Sequence, residues 1–472
     1  MNDTLTRRNF LKCAGMTCAG TVLFSGAVFP APIKSEGIAQ GPLIRDVLST
    51  LEAGAYANVN PVIRSDILEN PRGVFIIRTG VKAEKDANGS FDSAGPQLEE
   101  AGHQVASALF EKGTEKGGQV AINPNWTFIP ANLRYPTIGV TVAPQFIAGF
   151  AEGMKEMGGT NIVVSERSAG ADMLREAGHL DIIGGHGIKF IDGSYNKFSD
   201  YTKNELTWFK IKDGQVWKRV PVIRPHFDRE SLTINMPKLK NHNLGLTTLS
   251  IKNMQGYVPT GYGHYCDQWH QLYTIRPEMR DDLRDDFWQN IERSFLKHLR
   301  EGYKYWDYEQ SYRLYQERGG WEKFKEVRKD RKRADEFMKG VKNLMWDEMW
   351  GQRTMDSLSA LKPSINIVEG VIGRDGDAFA NGSDYLTNYV VAGLDPVAVD
   401  AVASWIMGQN PEELYYLRLA GERGYGPIDV NRIPIFLVDG KTITAVKEVK
   451  SLERQKLGVY FHSDLKGGLK FF

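Results

Sequence analysis

Short apolar runs alternate with longer amphipathic stretches along most of this chain, and that alternation constrains the fold more than any other feature. Val74-Phe75-Ile76-Ile77, Gln119 to Ile122, Asn161 to Ser165, Leu232 to Asn235, Ser364 to Glu369 and Ile435 to Val438 have the length and character of buried strands. Strands with near-continuous apolar cores need cover on both faces, the situation of a parallel sheet between helices. The intervening segments supply that cover. Gln97 to Lys112 places Leu98, Val105, Ala108 and Leu109 on one helical face. Pro144 to Met157 opens with proline and stops at Gly158-Gly159. Asp395 to Met407 and Glu412 to Gly424 read as further helices. The expected class is α/β, a mainly parallel sheet covered by helices on both faces. Ligands of such sheets bind beyond the carboxyl ends of the strands.

Two stretches depart from the alternation. From Ile188 to Ile223 the runs shorten to Lys189-Phe190-Ile191 and Leu206 to Ile211, with Lys212-Asp213-Gly214 as a hairpin turn, which predicts a small antiparallel excursion. Residues 276–353 have no strand-like run and carry nearly twice the chain's average charge of 25%. They predict a charged helical insertion, clearest at Asp281 to Glu301 and Trp321 to Trp350. The division that follows is 1–31 as an export signal, 32–72 as an amphipathic lead-in, 73–275 with 354–472 as the α/β body, and 276–353 as the insertion.

The signal rests on Thr6-Arg7-Arg8-Asn9-Phe10-Leu11-Lys12, a twin-arginine pattern, followed by a mildly apolar stretch from Cys13 to Phe29 rich in Gly, Ala and Thr. It implies passage through the twin-arginine translocase to a periplasmic or other extracytoplasmic location. Proteins exported this way usually cross the membrane already folded. Removing residues 1–31 would leave Cys266 as the single cysteine, so the exported chain would form no internal disulfide.

Composition sets the outer limits. The 472 residues are 42% hydrophobic, ample for a large core. Lys+Arg 59 against Asp+Glu 58 leaves a net charge of +1, no general field for nucleic acid or an anionic membrane. Three cysteines are one short of a ferredoxin-type cluster. No iron–sulfur motif is present, and the cofactor stays unnamed.

The densest chemistry lies in Asn235-Met236-Pro237-Lys238-Leu239-Lys240-Asn241-His242 and Thr247-Thr248-Leu249-Ser250-Ile251-Lys252-Asn253-Met254-Gln255-Gly256. Three lysines and a histidine follow a buried-looking strand that Pro237 is expected to end. Converging ammonium groups with Thr and Asn donors suit a carboxylate or phosphate. A desolvated lysine can also serve as base or as Schiff-base nucleophile. Pro-Lys-x-Lys-x-His followed by Thr-x-Ser-x-Lys-Asn-x-x-Gly is similar to the signature of the domain-of-unknown-function family 362. Asn123-Pro124-Asn125, Asn366-Ile367-Val368-Glu369-Gly370 and the run from Gly393 to Ala403 resemble that family in the expected order. The resemblance implies an α/β domain, joined in some members to iron–sulfur modules, and no particular reaction. This chain departs from it in lacking cluster-binding cysteines and in carrying Glu369 where Asp is usual.

The candidates divide by role. Lys240, His242, Lys252 and Glu166, the last at a strand's carboxyl end, are candidates for acid/base or covalent chemistry. Asn123, Asn125, Lys238, Asn253 and Asp395 are candidates for holding a small anionic ligand. Asp395-Pro396 also reads as a helix cap followed by proline in the first turn, and Asn123 and Asn125 flank a turn-forming proline. His264, Cys266 and His270 offer nitrogen and sulfur donors to a metal such as zinc, copper or iron, at a spacing that matches no common zinc motif. The functional expectation is an exported enzyme acting on a small anionic substrate. The alternative is a non-catalytic binding or assembly partner of an exported redox complex, docking through the aromatic residues of 276–353.

Overall fold

A computed structural model describes residues 60–87, 89–113, 117–127, 138–194, 201–202, 204–228, 230–259, 262, 281–301, 308–327, 330–339, 342–460 and 468–470. The chain separates into two units, Met1–Gln40 and Gly41–Phe472, and every described residue belongs to the second. The signal, the lead-in helix around Ile44 to Leu51, and the trio His264, Cys266 and His270 lie outside the described residues.

Eleven strands form one sheet. In chain order they are β1 (Val74–Arg78), β2 (Gln119–Pro124), β3 (Asn161–Glu166), β4 (Lys189–Asp192), β5 (Ser231–Met236) and β6 (Lys238–His242). Then come β7 (Leu246–Thr247), β8 (Ile365–Arg374), β9 (Asp384–Gly393), β10 (Ile435–Asp439) and β11 (Thr442–Ala445). Across the sheet the order is β11-β10-β1-β9-β8-β5-β2-β3-β4, with β6 pairing β8 and β7 pairing β6. The run β8-β5-β2-β3-β4 is parallel throughout, as is β10 with β1, while β9, β11 and β7 pair antiparallel. The sheet is mixed and mainly parallel, and the α/β class holds.

Successive side chains of a strand point to opposite faces, so a continuous apolar run feeds two cores at once. Phe75 and Ile77 of β1 join one buried cluster with Val120, Ile122, Ile162, Val164, Leu232 and Ile234. Val74 and Ile76 join the other with Val368 and Val391. The first face is covered by α1 (Gly95–Leu109), α2 (Pro144–Glu156) and the short α3 (His179–Gly185). Helix α2 lies close against α1 because Gly149 and Gly102 face the crossing. A Cβ on Gly149 would stand 1.8 Å from the Glu99 carbonyl oxygen, and one on Gly102 would stand 2.0 Å from that of Phe146.

Two expectations need correction. Lys189 to Ile191 does not belong to the antiparallel excursion. As β4 it is the parallel edge strand beside β3, and its half-exposed side chains hid it from a search for apolar runs. The excursion itself is the two-stranded pair Leu206–Lys210 and Arg219–Ile223. The insertion is helical but more broken than its register implies: α4 (Phe287–Arg300), α5 (Tyr308–Glu317), α6 (Gly320–Val327), α7 (Arg331–Met338) and α8 (Lys342–Ala360). Asp330 ends the continuity because its carboxylate accepts the Arg333 N–H and starts a new helix. Pro237 ends β5 as expected, and a single residue later β6 begins, carrying Lys238 and Lys240 on extended backbone along β8.

Candidate functional site

The parallel strands β2, β3 and β5 end side by side at Pro124, Glu166 and Met236. Beyond Pro237 the chain moves along β8, pairing Lys238 with Glu369 and Lys240 with Arg374 across a bulge. Beyond the strand ends the chain therefore brings β6 against the turn after β2, where Lys240 Nζ reaches the Thr127 carbonyl oxygen. This is where an open α/β sheet offers its ligand site.

Lys238 and Lys240 meet different fates there. The Lys238 ammonium forms an ion pair with Glu369 Oε2, both side chains being fully inaccessible, and Glu369 Oε1 accepts the Val371 N–H at 2.9 Å. Lys238 is thereby committed within the protein. Lys240 is equally buried but has no ion-pair partner among the described residues: its Nζ donates to the carbonyl oxygens of Val140 (2.5 Å) and Thr127 (3.4 Å) and lies 5.5 Å from the centre of the Phe379 ring. Burial pushes its pKa well below the ordinary lysine value; the charges of Lys252, Arg374 and Lys238 push the same way, and Glu166 opposes them.

Arg374 is held by Asp384 through Nη1 at 2.5 Å and by the Phe379 carbonyl through Nη2 at 2.7 Å. Its Nε is buried with no hydrogen-bond partner among the described residues. Lys252 is half-buried, and its charge acts on Lys240. Glu166 is fixed as an acceptor: Oε2 takes the Trp126 N–H at 3.0 Å, and Oε1 takes those of Arg167 and Ser168 at 2.7 and 2.6 Å. His242 is buried, accepts the Leu244 N–H at Nδ1 (3.0 Å) and packs edge-on against Phe379.

The asparagines do a different task. Asn123, Asn235 and Asn366 occupy the same level of β2, β5 and β8. Asn235 Nδ2 donates to Asn366 Oδ1 and to the Ser250 carbonyl, both at 2.9 Å. Asn253 Nδ2 donates to Asn235 Oδ1 (2.9 Å) and to the Asn123 carbonyl (3.0 Å), and Asn123 Nδ2 returns a bond to the Asn253 carbonyl (3.0 Å). Asn125 reaches Asn253 Oδ1 at 3.3 Å. This buried amide ladder clamps the segment from Ser250 to Tyr257 onto the sheet. Asp400, on α9 (Pro396–Ile406), accepts the Ser250 and Ile251 N–H groups and secures the same segment from the other side. Lys252 is thus delivered to the cluster by a doubly anchored turn. Asp395 sits apart from the lysines as the cap of α9, accepting the Val397 and Ala398 N–H groups.

Arg374, Glu369 as the partner of Lys238, and the ladder members Asn235 and Asn366 were not singled out from sequence. A signal existed for the ladder: the dipeptide Ile-Asn recurs in three strands, at 122–123, 234–235 and 365–366. Nothing comparable marks Arg374. A second titratable group joins the insertion to the body. His298 of α4 hydrogen-bonds Glu348 of α8 through Nδ1 (2.9 Å) and Glu422 of α10 (Tyr415–Glu422) through Nε2 (3.4 Å). His298, Glu301 and Glu422 gather within 4.8 Å, but Lys297 Nζ already stands 2.9 Å from Glu422 and Glu348 takes the other ring nitrogen, so the group reads as an ion-pair network.

Fold and residue cluster together define an open α/β protein with a buried, lysine-centred cationic cluster beyond its parallel strands. A family model described as "Domain of unknown function (DUF362)" matches residues 120–405, from β2 into α9, and the chain belongs to that family. No curated protein and no solved structure matches it.

Proposed function

We propose that this protein is an exported enzyme acting on a small anionic substrate, a carboxylate or phosphate, bound where Lys252, Arg374 and Lys240 converge. One observation carries the reading. Several cations crowd a buried position, while Arg374 Nε has no acceptor among the described residues. Buried donors without acceptors cost on the order of 1–3 kcal/mol each, and an anion's oxygen would supply what is missing. Glu166 and His242 flank the position as groups able to accept or hold protons. Export is supported by the Arg7-Arg8 pattern; changing both arginines to lysine is expected to leave the protein in the cytoplasmic fraction, and unchanged export would refute that part. The partner-docking alternative drew on aromatic residues of the insertion. Among the described ones, Tyr315 and Trp350 are buried in this protein's own core, which leaves these two side chains unavailable for docking.

Titration calorimetry of the full chain with malonate, oxalate and phosphate tests the anion site. At least one should bind, and Lys252→Gln, which alters a half-buried side chain, should weaken it tenfold or more with little change in melting temperature. Unchanged affinity, or no binding at all, would overturn the proposal.

A further inference from the structure

We propose that Lys240 is a nucleophile that forms a Schiff base with a 2-oxo acid, an inference that rests on the anion site just described and names its substrate class. The argument begins with counting protons. An ammonium group has three N–H bonds to satisfy, and among the described residues Lys240 Nζ has two acceptors, the carbonyl oxygens of Val140 and Thr127. A neutral amine has two N–H bonds and one lone pair. It matches those two acceptors, and the lone pair is left for a substrate. A fully buried ammonium with only these two acceptors among the described residues is disfavoured, in keeping with the downward push on its pKa from burial and neighbouring cations.

The surroundings also decide between the two jobs open to a neutral lysine. As a general base, Lys240 would take a proton and create a further positive charge beside Lys238, Lys252 and Arg374. As a nucleophile it escapes that cost, because the substrate brings its own negative charge. A carboxylate next to the reacting carbonyl would meet Arg374 Nε and Lys252 and offset their charge, while the nitrogen passes from neutral amine to neutral imine. Lys238 cannot take this part, since its ammonium is occupied by Glu369.

The step balances without any other reagent. The Nζ lone pair forms a C–N bond, the carbonyl π pair moves to oxygen, and an amine proton follows it there. The hydroxyl then leaves as water, carrying the second amine proton, and C=N forms. One amine and one carbonyl give one imine and one water.

The test uses the full chain at pH 7 with glyoxylate, pyruvate or 2-oxoglutarate and sodium cyanoborohydride, read by intact mass and peptide mapping. The expected result is one adduct per chain, at Lys240, suppressed by malonate. Lys240→Met, checked for folding by circular dichroism, should lose that adduct, while the wild-type map stands without any variant. Malonate binding with no adduct at Lys240 from any of the three acids would overturn this inference and leave the anion site standing. Adducts scattered over exposed lysines and indifferent to malonate would overturn it equally. Absence of both binding and adduct would remove both proposals.

Discussion

Lys238 and Lys240 stand two positions apart on one strand and differ in everything but residue type. Lys238 owes its state to Glu369, a residue 131 positions later in the chain. Removing one partner of a buried ion pair leaves an uncompensated charge, whereas removing both leaves apolar volume. Lys238→Met and Glu369→Met are each expected to cost about 3–5 kcal/mol in urea unfolding, and the double variant less than either. Additive losses would show that the two groups do not depend on each other. The contrast also marks how far the site was legible beforehand. The lysine motif stood out by residue type and spacing. Which ammonium is paired and which is left for chemistry depends on the register of β6 against β8, and no local pattern encodes a register between distant strands.

Among the elements, those with apolar periodicity were read with nearly correct ends, as α1 and α2 show: Gly95–Leu109 and Pro144–Glu156 against the expected 97–112 and 144–157. Elements without it were misread for identifiable reasons. β4 lies at the sheet edge and so needs no continuous apolar run. β6 went unassigned because its sequence is polar, and Pro237, which ends β5, supplies its carbonyl to the Glu369 N–H at 2.8 Å. The α1–α2 crossing was invisible too, since Gly102 and Gly149 read as weak helix residues until their neighbours are known. Their absent side chains let the backbones approach. Gly149→Ala should therefore destabilise the fold by about 1–3 kcal/mol, although alanine favours a helix by about 1 kcal/mol over glycine. A rise in thermal stability would mean that the helices can separate without loss.

At the scale of the molecule, His298 links α4 and α8 of the insertion to α10 of the body. Burial opposes its charged form, but hydrogen bonds and charges from Glu348 and Glu422 outweigh that and hold its pKa at about 9, above the ordinary 6.5. The link therefore contributes fully below pH 6.5 and is lost as pH rises through about 9, a change on the order of 3 kcal/mol. Melting temperatures at pH 6 and pH 10 should diverge less in His298→Gln than in the wild type; an equal spread would place the pH sensitivity elsewhere. The amide ladder has a consequence in time. Its rungs come from β2, β5 and β8, and the turn it clamps carries Lys252, so the lysine cluster cannot assemble while the chain beyond residue 366 is still unmade. Contacts this distant along the chain close slowly. A nascent chain halted before β8 would hold every lysine of the motif and no working site, and competence to bind would arrive as one late event after synthesis is almost finished.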